Sequence, residues 1–495
     1  MKLDLPQLPE LKIDTDHRVP AAWDFDTSVS VVLLIPESDR KSVLKAPWGD
    51  FLALRLTDFS TATNPVLLSG PRGNRTAILQ VPDTPNTFRY HTLARKTLEP
   101  LVNERASSIN VVSFLGNIDR ASAMAEAMVA AAIARLFRLP KISSKPDETA
   151  GLRAMNFYGE FDNADLRGIQ ATAEGNNLAR WLTQLPGNYL TPGLYRDYAE
   201  ALAQREGWQA RFYDIDQLKE LGAGAFLSVV QASPEPDAGI LHLQYRASDT
   251  GQPPLALAGK GICFDTGGSD LKVGGHMRGM NGDMQGSAVA LGTLLALTRL
   301  KFQHPVDCWL ALAENHIGSR AAKSNDVVTA MNGTTIELVN TDAEGRMVLA
   351  DTLALASRSQ PRVIVDYATL TGSCVSALGQ RIAGGFTNRR DWIEPIIQTG
   401  EQCGERVWPF PFEDDYDEDL KSDVADTLQC RVEGTGDHIY AARFLSQFVA
   451  SGIDWLHIDI APTSAHKGGL GAIPSEIQGF GVRFGVEWLK RFTES

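Results

Sequence analysis

The chain has 495 residues, 43% hydrophobic and 22% charged, which excludes a disordered or fibrous polymer and exceeds what one ordinary core organises, so two domains are expected. Sixty acidic against 47 basic residues give a formal charge of −13, which argues against a general nucleic-acid surface and favours cationic ligands. Five cysteines (Cys263, Cys308, Cys374, Cys403, Cys430) stand far apart with no C-x-x-C pair, the pattern of reduced cytosolic thiols rather than a disulfide framework or zinc finger.

The start, MKLDLPQLPELKIDTDHRVP, places prolines and charges where a secretory leader needs an apolar stretch, so a cytoplasmic location is expected. VVLLI (Val31–Ile35) and INVVSFL (Ile109–Leu115) read as strands among helical stretches. The most apolar segment, Ala121–Leu139, is interrupted by Glu126, Arg135 and Arg138; its alanine-rich pattern predicts a buried helix and no membrane span. The stretch 141–166 mixes turn formers and charges and is the expected linker. A cut near residue 165 separates a smaller N-terminal α/β domain (1–165) from a larger C-terminal domain (166–495).

Beyond the cut, a helix is expected over about 169–185, and a second begins at Thr191 as its cap. The runs 241–247, 254–264, 306–313, 363–369 and 455–461 are short, apolar and β-rich, as strands covered on both faces are. They predict an α/β fold whose C-terminal domain has a central mixed sheet flanked by helices.

Two segments gather ionisable residues directly after such strands, where open α/β sheets place their sites. GKGICFDTGGSDLKVGGHMRGMNGDMQGSA (Gly259–Ala288) carries Lys260, Asp265, Asp270, Lys272 and Asp283 among many glycines, and VNTDAEGRMVLADTLALA (Val339–Ala356) carries Asp342, Glu344 and Arg346. A capped helix alone accounts for the second segment, with Thr341 or Asp342 as cap and Glu344 facing the helix dipole. A solvated glycine loop accounts for the first. A phosphate loop does not, since neither G-x-G-x-x-G nor a Walker pattern is present and the carboxylates would repel phosphate. Taken together, Asp265, Asp283, Asp342 and Glu344 suit two divalent cations, whose charge would let four hard oxygen ligands converge. None of the nine histidines forms H-x-x-x-H, and His316 and His457 are read as structural.

At these residues the chain resembles the leucyl aminopeptidase (cytosol aminopeptidase) family of metallopeptidases. NTDAEGR (Asn340–Arg346) is identical to that family's signature. It is joined by GKGICFDTGG, by Lys272 and Asp283 at the family's separations, and by YATLTG (Tyr367–Gly372). The similarity runs from about Gly175 almost to the end. It implies one metal held by Lys260, Asp265, Asp283 and Glu344, and a second by Asp265, Asp342 and Glu344, both Zn²⁺ or Mn²⁺. It also implies that Lys272 polarises the scissile carbonyl and that Arg346 holds a bicarbonate acting as base toward a metal-bridging water. Met280, Thr369, Leu370 and Gly372 would line the substrate pocket, with the Leu370 carbonyl receiving the amine. Peptides with a free N-terminus, preferably leucine or another apolar residue, are the implied substrates, and a homohexamer the implied assembly. The chain departs from the family's pattern at Asn281, at AAKSNDV (Ala321–Val327) and at Pro462. A two-metal phosphatase or amidohydrolase would bring histidine ligands, which are missing here. A non-enzymatic assembly or nucleic-acid-binding module would be expected to have lost at least one ligand, and all are present.

Overall fold

The computed structural model describes residues 4–492 apart from 8, 22–24, 26, 39–47, 54–63, 71, 103–106, 145–150 and 248–250. The chain forms two compact units, one of residues 7–173 with 467–476, the other of residues 1–6, 174–466 and 477–495.

The first unit contains β1 (Lys12–Asp16), β2 (Val29–Pro36), α1 (Gly49–Ala53), β3 (Val66–Ser69), β4 (Arg75–Val81), α2 (Thr87–Leu98), β5 (Ser108–Ser113), α3 (Ile118–Leu136) and β6 (Ala154–Tyr158). Its six strands lie in the order β1-β6-β5-β2-β4-β3, parallel except for the β3–β4 pair. Asn86 and Asn117 cap α2 and α3, accepting from the N–H groups of Arg89 and Arg120. The alanine-rich helix expected near residue 121 is α3, and its buried face packs on the sheet core. No described helix is long and apolar enough to cross a membrane.

The expected linker is not wholly irregular. Its residues 145–150 lie outside the described residues, but AMNFY (Ala154–Tyr158) forms β6 between β1 and β5. The alternation that buries Met155 and Phe157 spans only five residues, too few to stand out beside the surrounding charges. Residues 467–476 return to this unit, where Arg95 donates from Nε to the Gly471 carbonyl (3.0 Å) and from Nη1 to that of Gly468 (2.9 Å). A single cut at residue 165 therefore does not describe the division, which falls inside α4 (Leu166–Gln184) and is crossed again near the C-terminus.

The second unit continues with α5 (Pro192–Glu206), β7 (Gln209–Asp214), α6 (Ile215–Glu220), α7 (Gly224–Val230), β8 (Gly239–Tyr245), β9 (Leu255–Asp265), α8 (Gln285–Arg299) and β10 (Val306–Asn315). Then come β11 (Val327–Thr329), β12 (Thr335–Glu337), α9 (Glu344–Ser357), β13 (Val363–Ala368), α10 (Gly372–Leu378), β14 (Ala383–Thr387), α11 (Ile393–Cys403) and β15 (Val407–Pro409). The chain closes with β16 (Thr427–Leu428), α12 (Asp437–Ser446), β17 (Asp454–Asp459) and α13 (Val482–Lys490). Thr191 caps α5 as expected.

Eight strands form one sheet in the order β15-β14-β17-β13-β9-β10-β8-β7. The central four, β17, β13, β9 and β10, are mutually parallel, while β14 and β8 flank them antiparallel, so the sheet is mixed. Near-continuous apolar runs explain the centre: β9 is buried at every position but Phe264. Helices α8 and α9, rich in alanine and leucine, are buried almost throughout. Their burial fixes the first turn of α9, which carries Glu344 and Arg346.

Within α9, Asp351 is fully buried and ties the first turn of α7 and the loop between β11 and β12 to the helix. Oδ1 accepts from Met331 N (2.7 Å) and Oδ2 from Phe226 N (2.8 Å). Burial pushes its pKa up to about 6, although these peptide N–H groups favour the carboxylate. Because the folded value is raised, this group's stabilisation is complete below its ordinary 3.8 and is lost as pH rises through about 6. Asp351→Ala strands both buried N–H groups and is expected to cost about 2 kcal/mol or more in urea unfolding. The gap between wild type and variant should narrow as pH rises through that window; a pH-independent gap would show that Asp351 does not titrate there.

Candidate active site

The functional side chains converge where the parallel strands end. Asp265 closes β9, Asn315 closes β10, Asp459 closes β17, and Thr369–Gly372 leaves β13. Register sets Asn315 opposite Asp265 and Ala368 opposite Asp459. Glu344 opens α9 beside them, and Asp283 precedes α8.

Lys260 projects from the middle of β9 and is buried. Its Nζ lies 2.9 and 2.8 Å from the two oxygens of Asp283 and 2.8 Å from Glu344 Oε1, and it donates to the Thr369 carbonyl at 3.0 Å. The lysine passes so close to α9 that a Cβ on Gly345 would stand 2.5 Å from its Cε, so any side chain at 345 would displace the end of Lys260 from its place beside Glu344. Lys272 Nζ lies 2.8 Å from Asp265 Oδ2 and also pairs with Asp342. Asp265 Oδ1 accepts from Asn315 Nδ2 (2.9 Å) and from the peptide N–H of Gly267 (2.8 Å), a residue whose φ of 88° suits glycine. One oxygen each from Asp265, Asp342 and Glu344 fall within 4.8 Å of one another.

Electrostatics strain this cluster. Burial, and then the neighbouring Asp265 charge, push Glu344 well above the ordinary carboxylate range; burial likewise raises Asp283 to about 6 and shifts Asp342 upward. Burial opposes the Lys260 ammonium, but Asp283, Glu344 and Asp265 outweigh it and raise its pKa. Four carboxylates face only two ammonium groups. Among the described residues, Asp283 Oδ2 and Glu344 Oε1, each 2.8 Å from Lys260 Nζ, and Asp342 Oδ1 are buried without a geometrically sound hydrogen bond. Hard oxygen donors with surplus negative charge fit divalent cations.

Arg346, in the first turn of α9, is buried. Its Nη2 donates to Asp437 Oδ2 at 2.6 Å and its Nη1 to the Gln429 carbonyl at 3.3 Å, while Nε has no hydrogen-bond partner among the described residues. Burial opposes the Asp437 carboxylate, but Arg346 outweighs it and holds the carboxyl below its ordinary value. Asp342, Arg346, Leu370, Gly372 and Asp437 line one cavity of about 350 Å³. Met280 and Thr369 are not part of its wall: Met280 sits half-buried in the turn before Asp283, and Thr369 Oγ1 donates to Asp283 Oδ1 at 2.7 Å.

The capping roles considered for Thr341 and Asp342 are not used. The cap of α9 is Ala343, without a side-chain bond. Asp342 turns to Lys272, and Thr341 Oγ1 donates to the Gly267 carbonyl (2.7 Å) and accepts from Asp270 N (2.8 Å). Sequence reasoning missed Asn315, Gln429, Asp437 and Asp459. Gln429 Oε1 accepts from Val339 N and Asn340 N while Nε2 donates to the Ala343 carbonyl, locking the turn before Glu344. Asp459 accepts from Leu370 N, Ala461 N and Thr371 Oγ1, fixing the loop after β13. Position at a strand's carboxyl end is the one signal that marks Asn315 and Asp459. His457 pairs with Asp366 (2.6 Å) and His316 with Glu314 (2.7 Å). Asn281 donates to the Leu185 carbonyl at 3.0 Å.

The catalytic-domain model of the cytosol aminopeptidase family matches residues 177–486, more than half of the chain. A probable cytosol aminopeptidase of Aquifex aeolicus is 36% identical over 390 residues, covering 79% of this chain and 78% of the relative. Among solved structures, a mutant of tomato leucine aminopeptidase aligns with a TM-score of 0.85 at 28% identity over 99% of both chains. The bottromycin maturation enzyme BotP in complex with Mn aligns with a TM-score of 0.81 at 30% identity, over 94% of this chain and 100% of that one.

Asp283 gives a pH test of the cluster. Its raised folded value means that its stabilisation is present below 3.8 and lost as pH rises through about 6. Mn²⁺ added to chelator-stripped protein should therefore raise Tm more above that window than below it, since ionised carboxylates bind the ion. Equal shifts on both sides would sink this account of the cluster.

Proposed function

Because the chain belongs to the cytosol aminopeptidase family and is a metal-dependent aminopeptidase, we propose that it releases leucine and other apolar residues from the N-termini of peptides with two divalent ions. The observation that carries this reading is the convergence of Asp265, Asp342 and Glu344 oxygens within 4.8 Å, beside the buried Lys260–Asp283 pair. Lys260, Asp265, Asp283 and Glu344 would hold one ion, and Asp265, Glu344 and Asp342, with its backbone carbonyl, the other. Bound there, Zn²⁺ or Mn²⁺ would supply a bridging water of lowered pKa and positive charge for the scissile carbonyl.

The chain's own residues do the rest. With the ions bound, Lys260 would serve as a neutral amine, its proton released to solvent. Asn315 and the Gly267 N–H orient Asp265. The Lys272 ammonium, held here by Asp265 and Asp342, would stabilise the developing oxyanion when the ions take over those carboxylates. The acidic site would attract the substrate's free amine, with the Leu370 carbonyl to receive it; Gly372 lines the cavity that would take the side chain, and Met280 and Thr369, which lie outside that wall, are assigned to the pocket on the family resemblance alone. An interior peptide bond lacks that amine, which makes the enzyme an exopeptidase. Bicarbonate, placed on Arg346 by the family resemblance, meets a guanidinium already bonded to Asp437, and the reaction proposed here assigns it no step. A cytosolic homohexamer is the assembly we propose, on the same resemblance.

Leucine p-nitroanilide tests this reading. Wild type should release p-nitroaniline faster with Mn²⁺, Glu344→Gln should lose roughly a thousandfold or more in kcat/KM, and an N-acetylated substrate should be inert. If metal-loaded wild type cleaves no unblocked N-terminal residue across a substrate panel, the proposal fails.

A further inference from the structure

We propose that Asp437 is the general base of this aminopeptidase, a carboxylate carried by the chain itself on Arg346, and that turnover needs no bicarbonate. The inference rests on the two-metal reading above. Three observations carry it.

The first is occupancy. The Arg346 guanidinium faces the cavity shared with Asp342 and Leu370, and its Nη2 lies 2.6 Å from Asp437 Oδ2, the length of a charge-assisted hydrogen bond. Bicarbonate and a side-chain carboxylate present the same planar O–C–O anion. A single guanidinium already holding one would have to bring the second anion against the first, and like charges at such separation repel strongly.

The second is freedom to act. Asp437 uses Oδ2 for Arg346, and among the described residues Oδ1 makes no hydrogen bond. The side chain is 41% exposed, whereas that of Arg346 is 2% exposed, so the arginine is the fixed partner and the aspartate is open to a water in the cavity. The third is placement. Asp437 is the first residue of α12, where the helix dipole favours a carboxylate, and the chain just before it also supplies the Gln429 carbonyl to Arg346 Nη1.

The proton balance closes without a co-reactant. Asp437 takes one proton from the attacking water as the water oxygen bonds to the carbonyl carbon. It returns that proton to the amide nitrogen as the C–N bond breaks, leaving a free amino acid, a shortened peptide and the original carboxylate.

The test compares wild type, Asp437→Ala and Asp437→Asn, each Mn²⁺-loaded, in CO₂-free buffer with and without added bicarbonate. Wild-type turnover should be indifferent to bicarbonate. Both variants should lose on the order of a hundredfold or more in kcat. Bicarbonate should restore part of that loss in Asp437→Ala, where it can take the vacated place on Arg346, but not in Asp437→Asn, where the amide still fills it. A readout independent of turnover is the thermal midpoint of the metal-free proteins, which bicarbonate should raise for Asp437→Ala and leave unmoved for wild type. Stimulation of wild type by bicarbonate, or full activity of either variant without it, would overturn the proposal. If wild type itself hydrolyses no substrate, the aminopeptidase reading fails, while the thermal shifts still decide whether Asp437 occupies the anion site.

Discussion

Everything in the second unit is arranged around one electrostatic conflict: four carboxylates share a small, largely buried volume with two lysine ammonium groups. Removing such charges from water costs several kcal/mol per ion unless close partners compensate, and ion pairing with a deficit of positive charge compensates only in part. The fold holds the conflict in place through rigidity. Lys260 rises from the middle of a buried strand, Glu344 from the first turn of a wholly buried helix, and Gly345 lets the two elements approach closely enough for the lysine to reach both Glu344 and Asp283. A looser scaffold would let the carboxylates separate into solvent.

The supporting polar network is as ordered as the cluster. Asn315 and Gly267 hold Asp265, Thr369 holds Asp283, Gln429 locks the turn before Glu344, and Asp459 fixes the loop whose Thr369 carbonyl accepts a hydrogen bond from Lys260. These partners come from β10, the segment after β13, the stretch near β16 and β17, so the site is assembled from distant parts of the chain. Asp351 does similar work about two turns deeper in α9, anchoring the start of α7 and the loop at Met331 by their peptide N–H groups.

What could be read from sequence follows from this division. The central strands were legible because burial on both faces makes them continuous apolar runs, and the charged residues of GKGICFDTGG and NTDAEGR because they are consecutive and break such runs abruptly. Asn315, Gln429, Asp437 and Asp459 were not, since each acquires its role only from register or tertiary placement, and a lone Asn, Gln or Asp has no local pattern. The same reasoning explains β6: five residues of alternation inside a charged stretch read as a linker, although the sheet puts them between β1 and β5. Thr341 and Asp342 read locally as helix caps, and distant lysine and aspartate partners overrode that preference.

The return of residues 467–476 to the first unit bears on synthesis. Ala472 lies in that unit's core, and the Gly468 and Gly471 carbonyls take the two hydrogen bonds of Arg95. A ribosome working from the N-terminus presents the six strands of the first sheet early, yet the segment that completes their core emerges only when almost the whole chain has been made. The first unit therefore cannot complete its core until that late segment has emerged, and a fragment ending near residue 173 would leave apolar surface and Arg95 without the partners that residues 467–476 supply.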